Sequence, residues 1–164
     1  MTWPRRNIIA HPDFPPELSS VKKQERGFKP RGVWYSMGSA WHDWARVDMP
    51  EKVKKTFSVH EVELEHGALK KMAVIQTPSE LKTFHDKYSR LAPSGFRDIA
   101  WDEVAKGHGG FEIRNYQRIK SALLHSQDHL WMKTFDVDSG CIWDFELVKS
   151  IDRRGTVGSF RQRL

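Results

Sequence analysis

The chain has 164 residues, of which 38% are hydrophobic and 12% aromatic, a composition that suits one folded domain spanning residues 1–164. Disordered chains have few aromatic residues, so the seven Trp and nine Phe exclude an unfolded chain. The single cysteine, Cys141, excludes an intramolecular disulfide and any zinc site that needs several cysteines. No apolar run approaches the roughly 20 residues of a membrane helix. We therefore expect a cytoplasmic protein with no membrane partner.

The net charge of +6 is concentrated at the two ends of the sequence. Residues 1–31 hold seven Lys or Arg against three Asp or Glu, and residues 149–164 hold five against one. Residues 32–148 are slightly acidic, with fifteen against seventeen. Basic ends favour attraction to an acidic macromolecule such as a nucleic acid, although solubility alone also accounts for them.

In the first half of the chain, short apolar runs bounded by Gly and Pro predict strands. These strands are 7–10, 32–36, 56–65 and 72–76. Residues 12–31 contain four prolines and many charges, which predicts an irregular loop. A helix is predicted over 39–46, because Trp41 and Trp44 recur on one helical face, and we expect both to be core residues.

In the second half, the clearest signal is the start of a helix. Thr77 suits the N-cap, Pro78 the first helical position and Glu80 the return hydrogen bond, and helical spacing then continues to Tyr88. The remaining predictions are a helix near 99–106, a strand at 110–113, a helix or an excursion over 116–129, strands at 131–137 and 141–143, and a short helix capped by Asp144. Strands early and late with helices inserted predict an α+β fold.

Two of these strands carry a recognisable order of residues. Residues 7–11 form a short strand that ends in a histidine, and residues 32–36, Gly-Val-Trp-Tyr-Ser, form a Gly-led strand with adjacent aromatics before a helix. In order and spacing they resemble the ADP-ribosyltransferase superfamily, as do residues 107–111 and 139–151. The resemblance implies a split β-sheet core with inserted short helices, and NAD as the substrate.

The resemblance also implies which residues act. The family uses a histidine, a tyrosine and a glutamate: His11 matches the first, Trp34 takes the place of the second, and Asp138 lies near the third. Asp136 and Glu112 are the alternative carboxylates. His11 would orient NAD, and Gly32, Tyr35 and Ser36 would line the NAD site with Trp34.

The chemistry that these residue types would perform can be stated physically. Cleaving NAD at its nicotinamide bond creates oxocarbenium character on the ribose, which a carboxylate such as that of Asp138 stabilises. The nicotinamide ring is cationic, so an indole such as that of Trp34 can stack on it with a cation–π gain. ADP-ribose would then pass to a macromolecular acceptor.

Simpler interpretations exist for every one of these residues. Trp34 could be a core residue, His11 a strand end bonded to backbone, and the two aspartates turn caps. Glu112 would face solvent by strand alternation. We interpret Cys141 as a buried structural thiol. Among the eight histidines, the i, i+4 pair His125 and His129 has no third ligand in its segment, so we predict no metal site.

Two alternative functions follow from the same sequence. One is a non-catalytic nucleic-acid-binding module, in which clusters such as Lys22-Lys23 and Arg153-Arg154 hold phosphates and aromatic rings stack on bases. The other is a catalytically inactive family member that serves as a protein-interaction or inhibitor domain, because two of the three family residues are altered.

Overall fold

A computed structural model describes residues 2–11 and 19–160, so part of the predicted loop, 12–18, lies outside the described residues. The strands are β1 (Arg6–Ala10), β2 (Arg26–Gly27), β3 (Val33–Met37), β4 (Ser58–Leu64), β5 (Ala73–Ile75), β6 (Ser89–Leu91), β7 (Arg97–Ala100), β8 (Gly110–Ile113), β9 (Ser139–Ile142) and β10 (Val148–Thr156). The helices are α1 (Ala40–Asp48), α2 (Pro78–Tyr88), α3 (Trp101–Ala105), α4 (Tyr116–Ala122) and α5 (Leu130–Lys133).

Seven of the strands form one mixed sheet in the order β10-β4-β1-β3-β9-β8-β5. Strands β5 and β8 run parallel, and the other neighbouring pairs run antiparallel. Strands β2, β7 and β6 form a second, small antiparallel sheet. The prediction of an α+β fold is thereby confirmed. None of the helices in the described part of the chain is long and apolar enough to cross a bilayer.

The two faces of the large sheet carry different packing. On one face, Phe111, Ile113 and Cys141 pack against α2, α3, α4 and α5, with the fully buried Trp101 and Trp131 at the centre of this main core. The opposite face carries a smaller cluster around the fully buried Tyr35. Strand alternation explains the division, because adjacent residues such as Trp34 and Tyr35 must point to opposite faces.

Local signals for helix caps were reliable. The Thr77 hydroxyl accepts a hydrogen bond from the Glu80 amide, and the Glu80 carboxylate accepts one from the Thr77 amide, which completes the predicted capping box. Asp144 caps a 3-10 turn at Phe145–Leu147, as predicted. The open assignment over 116–129 resolves into α4 followed by irregular chain.

Two assignments from apolar pattern were wrong. The strand predicted over 131–137 is helical at its start, in α5, because Trp131, Met132 and Phe135 all need burial and their spacing is helical. Helix α1 forms, but it buries His42 and Ala45, while Trp41 and Trp44 stay half-buried. The cause is the Trp3 ring, which stacks on the His42 ring with centroids 5.2 Å apart and turns that face inward.

One row of residues crosses the middle of the sheet. Tyr35, Gly140 and Glu112 stand directly opposite one another on β3, β9 and β8. The Tyr35 hydroxyl donates a 2.5 Å hydrogen bond to Glu112 Oε2, so its side chain must pass over the intervening strand. A Cβ at Gly140 would overlap the Tyr35 ring and lie 2.9 Å from the Phe111 carbonyl oxygen. Glycine at this position is therefore what lets β3 reach β8.

We predict that Gly140→Ala lowers the free energy of unfolding by about 1–3 kcal/mol, because the added methyl overpacks a site with no space. Urea denaturation measures this value. Gly107→Ala is the matched control, since a Cβ there meets nothing within 4 Å and should leave stability nearly unchanged. Equal midpoints for the two variants would contradict the proposed role of the row.

Candidate functional site

The pairing between β1 and β3 is incomplete. Among the described residues it is confined to Arg6 with Met37 and Asn7 with Ser36. Beyond that point Ile8–Ala10 pair with β4 on one side, whereas Val33–Tyr35 pair with β9 on the other. Strands β1 and β3 thus pair with each other only at the end near Arg6 and Met37. At the other end, near His11 and Gly32, they do not pair with each other.

Two buried polar side chains lie at the paired end of this junction. Asn7 and Ser36 are opposite each other and are both fully buried. Asn7 Nδ2 donates to the Gly38 carbonyl oxygen, but Asn7 Oδ1 and Ser36 Oγ have no hydrogen-bond partner among the described residues. An unsatisfied buried polar atom costs about 1–3 kcal/mol, so this pair calls for a specific explanation, such as a bound water or ion or a functional role.

Trp34 lies on the same face as Ser36, two residues earlier on β3. Its ring is half-buried and meets the edge of the Phe135 ring at a centroid distance of 5.2 Å. The exposed Lys29 places its Nζ over the indole, 5.3 Å from the ring centre. The indole face that could hold a cationic ring therefore already attracts a cation, and the lysine that occupies it is exposed and free to be displaced.

Asp138, the carboxylate predicted to be catalytic, has a structural task. It accepts hydrogen bonds from the Tyr116 amide at 2.7 Å and from the Asn115 amide at 3.2 Å. Asn115 stands at the N-cap of α4 in a left-handed conformation and makes no side-chain cap bond of its own. Asp138 therefore caps α4 from a distant part of the chain, and both of its oxygens are engaged.

Asp136, the alternative carboxylate, is placed differently. It lies in a three-residue turn closed by a 2.8 Å hydrogen bond from the Val137 amide to the Phe135 carbonyl, with a φ of 66°. A positive φ in this type of turn is rare and strained, and strain of this kind concentrates at functional sites. Burial raises the pKa of Asp136, although Lys29 and Lys120 oppose the shift. Asp136 follows Phe135, whose ring meets the edge of the Trp34 ring, so the Asp136 backbone lies near Trp34.

Glu112, the other alternative, does not face solvent as alternation predicted. Its side chain is completely buried and accepts hydrogen bonds from Arg6 Nε at 2.8 Å, from the Tyr35 hydroxyl and from Arg114 Nε at 2.6 Å. Burial by itself raises the pKa of Glu112, but the hydrogen bonds from Arg6 and Tyr35 outweigh it, so the pKa is lowered. The prediction was wrong because Arg6 and Tyr35 from other strands, together with Arg114 just after β8, make burial of this charge possible.

The remaining predicted site residues are divided among several places. Tyr35 is fully buried on the face opposite Trp34, and burial together with Glu112 raises its pKa well above 10. Gly32 packs directly against β9, where a Cβ would lie 2.9 Å from Cys141 Sγ. His11 is exposed beyond the end of β1 and meets the edge of the Phe57 ring at 5.6 Å. Cys141 is a fully buried thiol whose pKa is raised by burial, as the sequence indicated.

The structure thus groups Trp34 and Ser36 with Asn7, Lys29 and Asp136, and it separates them from Tyr35 and Glu112. Asn7 and Lys29 are absent from the sequence-based candidates, because their role depends on strand register and on a loop contact that leave no local motif. Within residues 2–11 and 19–160, no three His, Cys, Asp or Glu side chains are grouped so as to hold a metal ion. Comparison with protein-family models, with curated proteins and with solved structures gives no match for this chain.

We predict that Glu112→Gln lowers the free energy of unfolding at pH 7 by about 3–5 kcal/mol, because Arg6 loses its buried counter-charge. The lowered pKa of Glu112 means that its contribution is complete above its ordinary value of 4.5 and is lost as the pH falls through the lower, folded-state value. The difference in the free energy of unfolding between wild type and Glu112→Gln should therefore decrease below about pH 4.5. Urea denaturation at several pH values between 3 and 7 measures it.

Glu61→Gln serves as the control, since Glu61 forms a partly exposed ion pair with Arg154. Exposed pairs contribute about 0–1 kcal/mol, so this variant should differ little from wild type at any pH. A Glu112→Gln gap that stayed constant from pH 3 to pH 7 would contradict the assigned ionisation.

Proposed function

We propose that this protein binds NAD and transfers its ADP-ribose group to a macromolecular acceptor. The observation that carries the proposal is the pair of buried, unpartnered atoms, Asn7 Oδ1 and Ser36 Oγ, on the sheet face that also presents Trp34. An aromatic surface, a hydrogen-bond acceptor and a hydroxyl are the groups that the nicotinamide end of NAD requires, and NAD would reach the two buried atoms only if the junction between β1 and β3 opens.

The nicotinamide carries a primary carboxamide, which has two N–H donors and one carbonyl acceptor. Asn7 Oδ1 can accept from that NH2 group, and the Ser36 hydroxyl can donate to its carbonyl oxygen. The cationic ring would then stack on Trp34 in the position that Lys29 Nζ occupies in the free protein. Once displaced, Lys29 remains near the site as a positive charge for the diphosphate of NAD.

The reaction breaks the bond between the nicotinamide nitrogen and C1 of the ribose. The bonding electron pair leaves with nicotinamide, which becomes neutral, and the ribose acquires oxocarbenium character that a nearby carboxylate stabilises. Asp136 is the carboxylate that the geometry leaves for this role, since Asp138 and Glu112 are fully engaged. An acceptor nucleophile then bonds to C1 and releases its proton, and water in that role gives free ADP-ribose.

His11 fits this scheme at the end of β1 that pairs with β4 but not with β3. It is exposed at the end of the strand that carries Asn7, where it can reach a ribose hydroxyl of a bound NAD. A role for Gly32 and Tyr35 would be indirect. Gly32 keeps β3 close to β9, and Tyr35 ties β3 to Glu112, so that both hold the strand that presents Trp34.

We predict that Asp136→Asn reduces nicotinamide release from NAD about 10²–10³-fold, the usual effect of removing one electrostatic stabiliser of a transition state. Release is measured by chromatography after incubation with cell lysate as the acceptor source. Asparagine tolerates a positive φ, so the fold should survive, which a thermal melt verifies.

Trp34→Leu keeps apolar packing against Phe135 and should raise the KM for NAD about threefold to thirtyfold.

Asp138→Asn is the matched control, with the same loss of charge two residues away. It retains an oxygen for the α4 amides, so it should lose about 1 kcal/mol of stability but keep nicotinamide release. Loss of release in Asp138→Asn with activity retained in Asp136→Asn would reverse the assignment of the carboxylate. Intact NAD after incubation with wild type would overturn the transferase, and calorimetric binding without release would identify an inactive family member.

A further inference from the structure

The two basic ends of the sequence meet in the folded protein. Arg5, just before β1, and Arg153 and Arg154, on β10, line one groove of about 700 Å³ together with Trp3 and Phe160. Some 148 residues separate Arg5 from Arg153, so only pairing of both strands with β4 brings them together. Arg5 from the N-terminal basic stretch and Arg153 and Arg154 from the C-terminal one thus form a single basic surface.

A β-bulge makes both arginines of β10 available to this groove. In a regular strand, successive side chains point to opposite faces. Between Arg153 and Gly155 the register against β4 shifts by one residue, and Gly155 has a φ of 146°. Bulges of this kind re-aim side chains, and here Arg153 and Arg154 line the same groove.

The basic surface continues past an aromatic stack. Phe160 also lines a second groove of about 460 Å³, which is flanked by Arg46 and Lys55. We call Arg5, Arg46, Lys55, Arg153 and Arg154 the basic track. Among the described residues that line its two grooves, Glu61 is the only acidic side chain. Its Oε2 forms an ion pair with Arg154 Nε at 2.6 Å.

The polar atoms of the first groove point to an anionic ligand. Trp3 lines the groove beside the three arginines, and its Nε1 is a buried donor without a partner among the described residues. Donors without acceptors are satisfied by phosphate oxygens. The Trp3 ring stacks on His42 at 5.2 Å and on Phe160 at 4.7 Å, so its faces are not available to a nucleobase.

We propose that the basic track binds the sugar–phosphate backbone of a single-stranded nucleic acid, without base selectivity. Each groove has the volume of a site for one nucleotide-sized group, and the pair of grooves with charges on both sides of the stack suits a chain that presents successive phosphates. The proposal does not rest on NAD chemistry. If the protein is a transferase, the strand bound here is the candidate acceptor.

The test is fluorescence anisotropy of a labelled single-stranded oligonucleotide of mixed sequence, measured at several salt concentrations with the full chain. Each phosphate contact contributes about −0.7 to the slope of log K against the logarithm of the salt concentration, so five contacts give a slope of about −3.5. The Arg153→Gln/Arg154→Gln double variant should make the slope shallower by about 1.4. Trp3→Phe keeps the ring stack and loses the donor, which should weaken binding about two- to tenfold.

Lys22→Gln/Lys23→Gln is the matched control, because it removes the same net charge from exposed residues outside the track. Its slope should stay close to that of wild type. Equal losses in both double variants, or binding that does not respond to salt, would overturn the proposal. So would tighter binding of duplex, equal competition by poly-glutamate, or displacement by inorganic pyrophosphate at matched phosphate concentration.

The proposed NAD chemistry and the proposed nucleic-acid binding can be disproved independently of each other. The arginine variant should release nicotinamide as wild type does when water is the acceptor, and Asp136→Asn should bind the oligonucleotide normally. Thermal melts of all variants verify that each is folded. Loss of oligonucleotide binding in Asp136→Asn would indicate that the strand occupies the NAD site instead of the track.

Discussion

The buried carboxylate of Glu112 is the constraint on which the rest of the sheet depends. A fully buried charge is costly unless it is paired, and here Arg6 from β1, Tyr35 from β3 and Arg114 beside β8 supply the partners. Meeting that requirement brings four neighbouring strands into one register, with Gly140 as the gap through which Tyr35 reaches across β9. An apolar residue at 112 would place no comparable demand on the strand order.

The same constraint determines which side chains β3 presents on its other face. Because Tyr35 must face Glu112, Trp34 and Ser36 must face the opposite side of β3, where Asn7 meets Ser36. The side of the sheet that faces the helices thus carries the unpartnered polar atoms, and the Asp136 backbone lies near Trp34 because it follows Phe135, whose ring meets the edge of the Trp34 ring. Tyr35 and Glu112 thus lie on one face of the sheet and Trp34 and Ser36 on the other, while Asp138 caps α4.

Sequence reasoning succeeded where the decisive interactions are local. The Thr77 capping box and the Asp144 cap depend on residues within a few positions of each other, and both formed as expected. It failed where burial was decided by distant partners. Glu112 looked solvent-facing because no local feature reveals Arg6, 106 residues away, and α1 turned inward on His42 because of Trp3. For the site, Trp34 and Ser36 could be chosen from the pattern, but Asn7 could not.

What the sequence determined by itself is the class of the molecule: one aromatic-rich α+β domain with basic ends and with helix starts encoded in short motifs. Tertiary structure alone decided which carboxylate is committed to a helix, which is locked in an ion network and which remains near Trp34. It also decided that Arg5 and the Arg153–Arg154 pair, from opposite ends of the sequence, line one groove. The physical reason is that strand register and charge pairing are long-range, so their outcome depends on residues that no local pattern connects.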